Sequence, residues 1–128
     1  MSLDTASLEG RRILLVEDDY MIAQDVAGGL EREGAEVVGP APSVAASLRL
    51  IERGGLDAAV LDVNLGQENS FPIARALQDR CVPFLFSTGH NSADIPTEWQ
   101  HVIVSMKPLR LTDVARLLAG DRTGGRSA

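Results

Sequence analysis

Acidic and other polar residues follow four apolar segments of the sequence, and together they could bind a metal and a phosphate-like anion. Glu17 and Asp18 directly follow the apolar residues Ile-Leu-Leu-Val, and Asp62 directly follows Ala-Ala-Val-Leu. Thr88 ends the segment Phe-Leu-Phe-Ser-Thr, and Lys107 comes shortly after a fourth apolar run. The set contains three carboxylates, a hydroxyl and an ammonium, each placed where a buried segment ends.

Three carboxylates in one crevice are unfavourable without a cation, because each raises the pKa of the others. Oxygen ligands select a hard ion, and a partly hydrated Mg²⁺ fits a few carboxylates. Lys107 would then attract an anion on the metal, and the Thr88 hydroxyl would contact an oxygen of that anion. This combination predicts a phosphoryl-transfer site with a carboxylate nucleophile.

Taken singly, these residues also have ordinary structural explanations. Asp62 and Thr88 could form turns at strand ends, and Lys107 could be a solvated surface charge. The acids at 17–19 could favour a helix N-terminus, and Asp19 is expected to do only that. The hypothesis of a functional site therefore depends on the ordered combination at four segment ends.

The elements that must position these residues are predicted to be strands alternating with helices. Strand segments that are apolar at every position, instead of at alternate positions, are typical of a sheet covered on both faces. Helices between successive strands favour a parallel sheet. We predict an α/β fold with a doubly wound five-stranded parallel sheet, flavodoxin-like, in the order 2-1-3-4-5. In such sheets ligands bind at the carboxyl ends of the strands, where the order reverses. The predicted strands are Ile13–Val16, Ala35–Val38, Ala58–Leu61, Val82–Phe86 and Val102–Val104.

The helices are predicted from apolar stripes and from residues that suit helix ends. Ser43 and Thr112 are predicted to cap the second and the last helix. The interval 90–100 contains Pro96 and has no clear apolar stripe, so we expect a short or irregular fourth helix there.

Composition and length limit the class of protein. The 128 residues suit one domain, which we predict over 11–119, after an N-terminal extension at 1–10 and before a flexible tail at 120–128. Met-Ser-Leu at 1–3 is typical of a cloning remnant. The net charge of −6 argues against direct nucleic-acid binding, and no apolar run suits membrane insertion. The single cysteine, Cys81, is expected to pack near the core, and with no internal disulfide possible we expect a cytoplasmic protein.

The segments ILLVEDD, AAVLDVNL, FLFSTG and MKPL together resemble the receiver domain of bacterial two-component response regulators. The resemblance implies that Asp62 accepts a phosphoryl group from a histidine kinase or phosphotransfer protein, which switches a protein-interaction face. It implies Mg²⁺ bound by Asp18 and Asp62, by Glu17 through water, and by the backbone carbonyl of Asn64. Thr88 and Lys107 would contact the phosphoryl group, and the Lys107–Pro108 peptide would be cis.

The sequence is similar to a subgroup of small, often stand-alone receivers, and it departs from the family at two positions. In that subgroup the fourth strand ends in Phe-Ala-Thr-Gly, and Ser87 replaces the alanine here. Val104 stands where the family has an aromatic switch residue, and Gly66 stands where it commonly has proline. Because Val104 has no ring to rotate, we hypothesise that the segment 89–100 changes conformation instead.

Two other classes of enzyme fit the sequence less well. A dehalogenase-type enzyme would need an aspartate at 64, where this sequence has Asn64, and a nucleotide enzyme would need a glycine-rich loop after the first strand. We expect a signalling domain rather than an enzyme, with at most slow self-phosphorylation from small donors and self-dephosphorylation. The alternative is a pseudo-receiver that binds proteins without phosphate. The sequence identifies neither the kinase nor the downstream protein target, and it leaves a homodimer open.

Overall fold

The computed structural model describes residues 8–89 and 95–120, which fold around one parallel sheet. The strands are β1 (Arg12–Val16), β2 (Glu36–Ala41), β3 (Ala58–Asp62), β4 (Asn64–Leu65), β5 (Glu68–Asn69), β6 (Phe84–Thr88) and β7 (Val104–Met106). Five of them form the parallel sheet in the order β2-β1-β3-β6-β7, and β4 and β5 form an antiparallel hairpin. Since the fourth and fifth predicted strands are β6 and β7, the predicted order is confirmed.

Four helices cover the sheet: α1 (Tyr20–Arg32), α2 (Val44–Glu52), α3 (Phe71–Asp79) and α4 (Leu111–Leu118). Asp19 caps α1 by accepting a hydrogen bond from the Ile22 amide, as expected, and Ser43 caps α2 as predicted. The prediction for Thr112 is wrong, because α4 begins at Leu111 and Thr112 lies in its first turn. Leu111 already packs against the core, so burial sets the start of this helix.

Both faces of the sheet are buried, in agreement with the apolar strands. Leu14 and Val16 of β1 pack with α2 and α3, whereas the alternate residues Ile13 and Leu15 pack with α1 and α4. This alternation is the period of a strand, and burial on both faces removes the polar positions that a half-exposed strand would need. The two layers of helix fix the strands, and with them the positions of the residues that follow the strands.

Each strand of the parallel sheet differs from the prediction by one to three residues at one end or both; β6, for example, spans Phe84–Thr88, whereas Val82–Phe86 was predicted. β2 continues through Gly39 and Pro40 to Ala41, which an edge strand tolerates because one side of its backbone needs no ladder partner. β7 begins at Val104, where the prediction ended; Val102 and Ile103 are buried, which accounts for their apolar character, but they precede the pairing with β6.

The fourth helical interval is irregular where the structure describes it. Residues 90–94 lie outside the described part, and residues 95–100 contain a single 3-10 turn, Thr97–Trp99. Trp99 is buried and packs edge-on against Phe84 and Phe86. This agrees with the predicted short, irregular element.

Three further observations concern the periphery of the domain. Leu8 is fully buried in the core formed with α1 and α4, whereas residues 1–7 and residues 121–128 of the tail predicted at 120–128 lie outside the described residues. Cys81 is exposed, which contradicts its predicted packing near the core, because it sits in the turn after α3 with a positive φ of 59°. Among the described residues, no helix is long and apolar enough to cross a membrane.

Candidate functional site

The candidate site lies at the carboxyl edge of the sheet, where neighbouring strands bring the predicted residues together. Glu17 and Asp18 follow β1, Asp62 is the last residue of the adjacent β3, and Thr88 is the last residue of β6. Lys107 directly follows β7. Because β1, β3, β6 and β7 are consecutive in the sheet, residues distant in sequence become neighbours.

The three carboxylates form one cluster. Glu17, Asp18 and Asp62 each offer an oxygen within 4.8 Å of the others. Glu17 and Asp62 are buried, whereas Asp18 is exposed. An all-oxygen set open to solvent on one side fits Mg²⁺, which binds a few carboxylates and keeps several waters.

Glu17 shows the electrostatic cost of this cluster. Burial of its side chain raises its pKa, and the nearby Asp62 carboxylate raises it further, although a hydrogen bond from the Asp19 amide opposes the shift. A group whose charged form is disfavoured in this way would be relieved by a cation. The donor set and its electrostatics therefore both fit a divalent ion.

Lys107 supplies a positive charge to the same cluster. Its Nζ lies 3.2 Å from Glu17 Oε1 and 3.2 Å from Asp62 Oδ2. Burial alone would lower the pKa of Lys107, but the carboxylates of Asp62 and Glu17 outweigh it and raise the pKa. The ammonium therefore remains charged near neutral pH, and it can attract an anion at Asp62.

Backbone contacts hold Lys107 and Asp62 in place. The Lys107 amide donates to the Thr88 carbonyl at 2.9 Å, and the Lys107–Pro108 peptide is cis, as the resemblance implied. The Asn64 amide lies 3.4 Å from Asp62 Oδ1, so the peptide of Asn64 borders the cluster, and its carbonyl as a metal ligand stays a prediction. Thr88 is buried at the end of β6, next to Lys107 along the site edge.

The hairpin of β4 and β5 is a part of the site that the sequence did not predict. Gly66, at its turn, has a φ of +71°, and a Cβ there would lie 3.5 Å from Asp18 Oδ2. Glu68 of β5 reaches across to α2, where its Oε1 accepts a hydrogen bond from the Val44 amide at 3.1 Å. Strands of two residues carry no usable periodicity, so only the glycine could have signalled this turn.

The arrangement can place negative charge on a carboxylate oxygen that is flanked by an ammonium and, when loaded, a metal. Such a carboxylate is a nucleophile for a phosphoryl group, because the charge that develops on the phosphoryl oxygens is neutralised by preplaced cations. The structure brings together the side chains of Glu17, Asp18, Asp62 and Lys107 and places Thr88 at the end of the neighbouring strand β6, and the described residues add the hairpin beside them.

Comparisons with family models and with solved structures identify the same protein family for this chain. The family model described as the response regulator receiver domain matches residues 13–102. The solution structure of SdrG from Sphingomonas melonis Fr1 is 38% identical, with a TM-score of 0.70, over 86% of this chain and 94% of that chain. The BeF3-activated conformation of SdrG from Pseudomonas melonis Fr1 is 40% identical, also with a TM-score of 0.70, over 93% and 97%.

More distant relatives share the fold or part of their length. A response regulator from Burkholderia pseudomallei, solved with a phosphorylated aspartic acid, calcium ion and citrate, has a TM-score of 0.72 at 21% identity, over 84% of this chain and 66% of that chain. The transcriptional regulatory protein PdtaR of Mycobacterium tuberculosis is 29% identical over 86 residues, which are 66% of this chain and 42% of that protein. This chain thus matches less than half of that relative.

Proposed function

Because the chain belongs to the response regulator receiver domain family, we propose that it is a phosphoacceptor of two-component signalling and that Asp62 takes up the phosphoryl group. The donor would be a phosphohistidine on a histidine kinase or a phosphotransfer protein. The phosphorylated domain would then switch a protein-interaction face, and we place this exchange in the cytoplasm. In this role the chain is a signalling module, whose own chemistry is limited to slow self-phosphorylation from small donors and self-dephosphorylation.

The observation that carries the proposal is the contact of Lys107 with two buried carboxylates. Its Nζ lies 3.2 Å from both Asp62 and Glu17, so the ammonium is held at the oxygen that would attack. An Asp62 oxygen would form a bond to phosphorus while the bond from phosphorus to the donor's imidazole nitrogen breaks, and the nitrogen keeps the electron pair. Lys107 would neutralise charge on the transferred group, and the Thr88 hydroxyl would contact one of its oxygens.

Glu17, Asp18, Asp62 and the Asn64 carbonyl are the proposed ligands of Mg²⁺, which when bound would neutralise charge on the phosphoryl oxygens. The clustered carboxylate oxygens and the raised pKa of Glu17 support this assignment. Two relatives support the chemistry as well: one was solved with a phosphorylated aspartic acid and calcium, and SdrG in a BeF3-activated conformation.

A pseudo-receiver that binds proteins without phosphate is the second candidate. The observation in its favour is Val104, a half-buried aliphatic residue at the start of β7, where the family resemblance implies an aromatic switch. A domain without that ring would need another way to report phosphorylation. The intact carboxylate–lysine cluster supports the phosphoacceptor over this alternative.

Incubation with acetyl phosphate and Mg²⁺, followed by intact-protein mass spectrometry, tests the proposal. Wild type should gain the mass of one phosphoryl group, and Asp62→Asn should gain none. Asp57→Asn is a matched control, because Asp57 lies at the opposite end of β3, where its carboxylate accepts a hydrogen bond from the Arg12 amide that an asparagine can still accept. Labelling that persists in Asp62→Asn, or no labelling of wild type by acetyl phosphate or a phosphorylated kinase, would overturn the assignment.

A further inference from the structure

The hairpin beside the candidate metal site is tied to a helix by one acidic side chain. Glu68 of β5 accepts a hydrogen bond from the amide of Val44, the first residue of α2, at 3.1 Å. The first turn of α2 contains no acidic residue of its own, so Glu68 supplies from outside the negative charge that a helix N-terminus favours. The contact joins residues 24 positions apart in the sequence.

The helix that Glu68 contacts is a firm anchor. Ser43 caps it through the Ala46 amide, and Ile51 near its other end is buried in the core. The Arg80 guanidinium, which follows α3, donates to the Ile51 carbonyl at 3.1 Å. Residues that flank α3 therefore contact both ends of α2. Arg80 contacts its C-terminal end, and Glu68 contacts its N-terminal end, which faces the candidate site.

The hairpin itself needs such an anchor. Each of its strands has two residues, with Asn64 paired to Asn69 and Leu65 paired to Glu68, and a hairpin this small is marginal by itself. At its base the Ser70 amide donates to the Val63 carbonyl at 3.0 Å. Leu65 of β4 is buried in the core, whereas both residues of β5 are exposed, and Glu68 is the residue of β5 whose side chain bonds α2.

The position of the hairpin matters because it borders the carboxylate cluster. The Asn64 amide approaches Asp62, and the turn residue Gly66 approaches the Asp18 carboxylate closely enough that a Cβ would be in van der Waals contact. Asn64 also carries the carbonyl that is the proposed fourth metal ligand. A shift of the hairpin would therefore move a ligand and uncover one side of the site.

We propose that Glu68 is a positioning residue of the phosphoacceptor site: by bonding the N-terminus of α2, it holds the hairpin so that the Asn64 peptide stays beside Asp62. This inference rests on the proposed function, since it assigns Glu68 a task in metal binding at that site. The role is distinct from metal ligation, because the Glu68 carboxylate is engaged with α2 instead of the cluster.

Three variants separate positioning from charge and from general stability. Glu68→Ala removes the hydrogen bond and the charge, whereas Glu68→Gln removes the charge but keeps an oxygen that can accept from Val44. Glu36→Gln is the matched control, because Glu36 is also an exposed acid in a short contact, with Arg12, but lies at the amino edge of the sheet. Mg²⁺ affinity is measured by isothermal titration calorimetry well below the unfolding temperature, so that a loss of stability alone does not change it.

We expect Glu68→Ala to weaken Mg²⁺ binding about three- to fivefold, the range that loss of the hydrogen bond from the Val44 amide would give if it were transmitted to the site. Glu68→Gln and Glu36→Gln should bind Mg²⁺ nearly as wild type does. Equal weakening in both Glu68 variants would mean that only charge matters, and no weakening in Glu68→Ala would mean that the hairpin does not position the site. Either result overturns the proposal.

A second measurement does not depend on metal. In the metal-free protein, amide hydrogen exchange at Val44 and in residues 64–69 should be faster in Glu68→Ala than in wild type, and Glu68→Gln should restore it. Unchanged exchange refutes the anchor. Failure of wild type to bind Mg²⁺ or accept a phosphoryl group would instead refute the proposed function, and the exchange result would still report on the hairpin.

Discussion

Replacement of Lys107 by methionine would remove the ammonium that lies between two buried carboxylates. Methionine keeps much of the length of the side chain, so the change removes mainly the charge. Glu17 and Asp62 are 5% and 7% exposed, and the Lys107 side chain is 22% exposed. The substitution therefore leaves two carboxylates with little access to water and without their nearest cation.

The expected loss of stability follows from the distances. At 3.2 Å and an effective dielectric constant of about 20, Coulomb's law gives about 5 kcal/mol for each of the two ion pairs. Desolvation of the charges offsets much of this, and removal of one partner from a buried pair costs about 3–5 kcal/mol in proteins. Since water still reaches part of Lys107, we expect the lower end, about 3 kcal/mol of the free energy of unfolding.

Urea unfolding followed by fluorescence of the buried Trp99 would measure this loss in metal-free buffer. The control is Glu36→Gln, which breaks the Arg12–Glu36 pair of similar length, 3.3 Å, but with side chains 39% and 64% exposed. An exposed pair contributes about 1 kcal/mol or less, so the control should change little. Saturating Mg²⁺ should stabilise Lys107→Met more than wild type, because the metal would replace the missing positive charge.

A loss in Lys107→Met no larger than in the control would refute the reasoning, since burial would then not strengthen the pair. Equal stabilisation of the variant and wild type by Mg²⁺ would refute the expectation that the metal replaces the missing positive charge. It would mean that the metal and the ammonium do not act on the same carboxylates.

Three further changes test neighbouring parts of the structure. Asp18→Asn should remove the rise in melting temperature that Mg²⁺ gives to wild type in scanning fluorimetry, whereas Asp19→Asn, still able to cap α1, should keep that rise; equal shifts would contradict the assignment of Asp18. Ser43→Ala should lower the free energy of unfolding by about 1 kcal/mol in a urea titration, because the Ala46 amide loses its partner. Gly66→Ala should cost about 1–2 kcal/mol in the same titration, because its φ is +71°, and its calorimetric Mg²⁺ affinity should fall because the new methyl group contacts the Asp18 carboxylate.

The strand-end residues were predictable because the sheet is parallel and buried on both faces. Apolar runs locate strands in such a sheet, and parallel strands present their carboxyl ends at one edge. The sequence therefore predicts that Glu17, Asp62 and Lys107 lie together, and in the structure Lys107 lies within ion-pair distance of both carboxylates. Asp19 was separable from its acidic neighbours because an acid at a helix start has its own local explanation.

The remaining features depend on contacts that local patterns do not encode. Glu68 is unremarkable in sequence, and its contact with Val44 exists only because the hairpin folds toward α2. Thr112 suits a helix cap by residue type, but packing of Leu111 starts α4 earlier. Val102 and Ile103 are apolar because they are buried, and this does not indicate where the pairing of β7 with β6 begins.

Val104, which replaces the family's aromatic residue, lies next to a cluster of aromatic side chains. Val104 pairs in register with Phe86, and Phe86 packs edge-on against both Phe71 and Trp99. Thr88 follows Phe86 by two residues on the same strand, so both side chains point to the same side of β6. A movement of Thr88 toward a phosphoryl group would therefore first displace the packed rings of Phe86, Phe71 and Trp99, which belong to β6, α3 and the 3-10 turn. Trp99 belongs to the segment after β6 and packs against the strand that ends in Thr88. This contact could transmit a movement of Thr88 to that segment, which supports the hypothesis that the segment, and not a rotating ring on β7, changes conformation on phosphorylation.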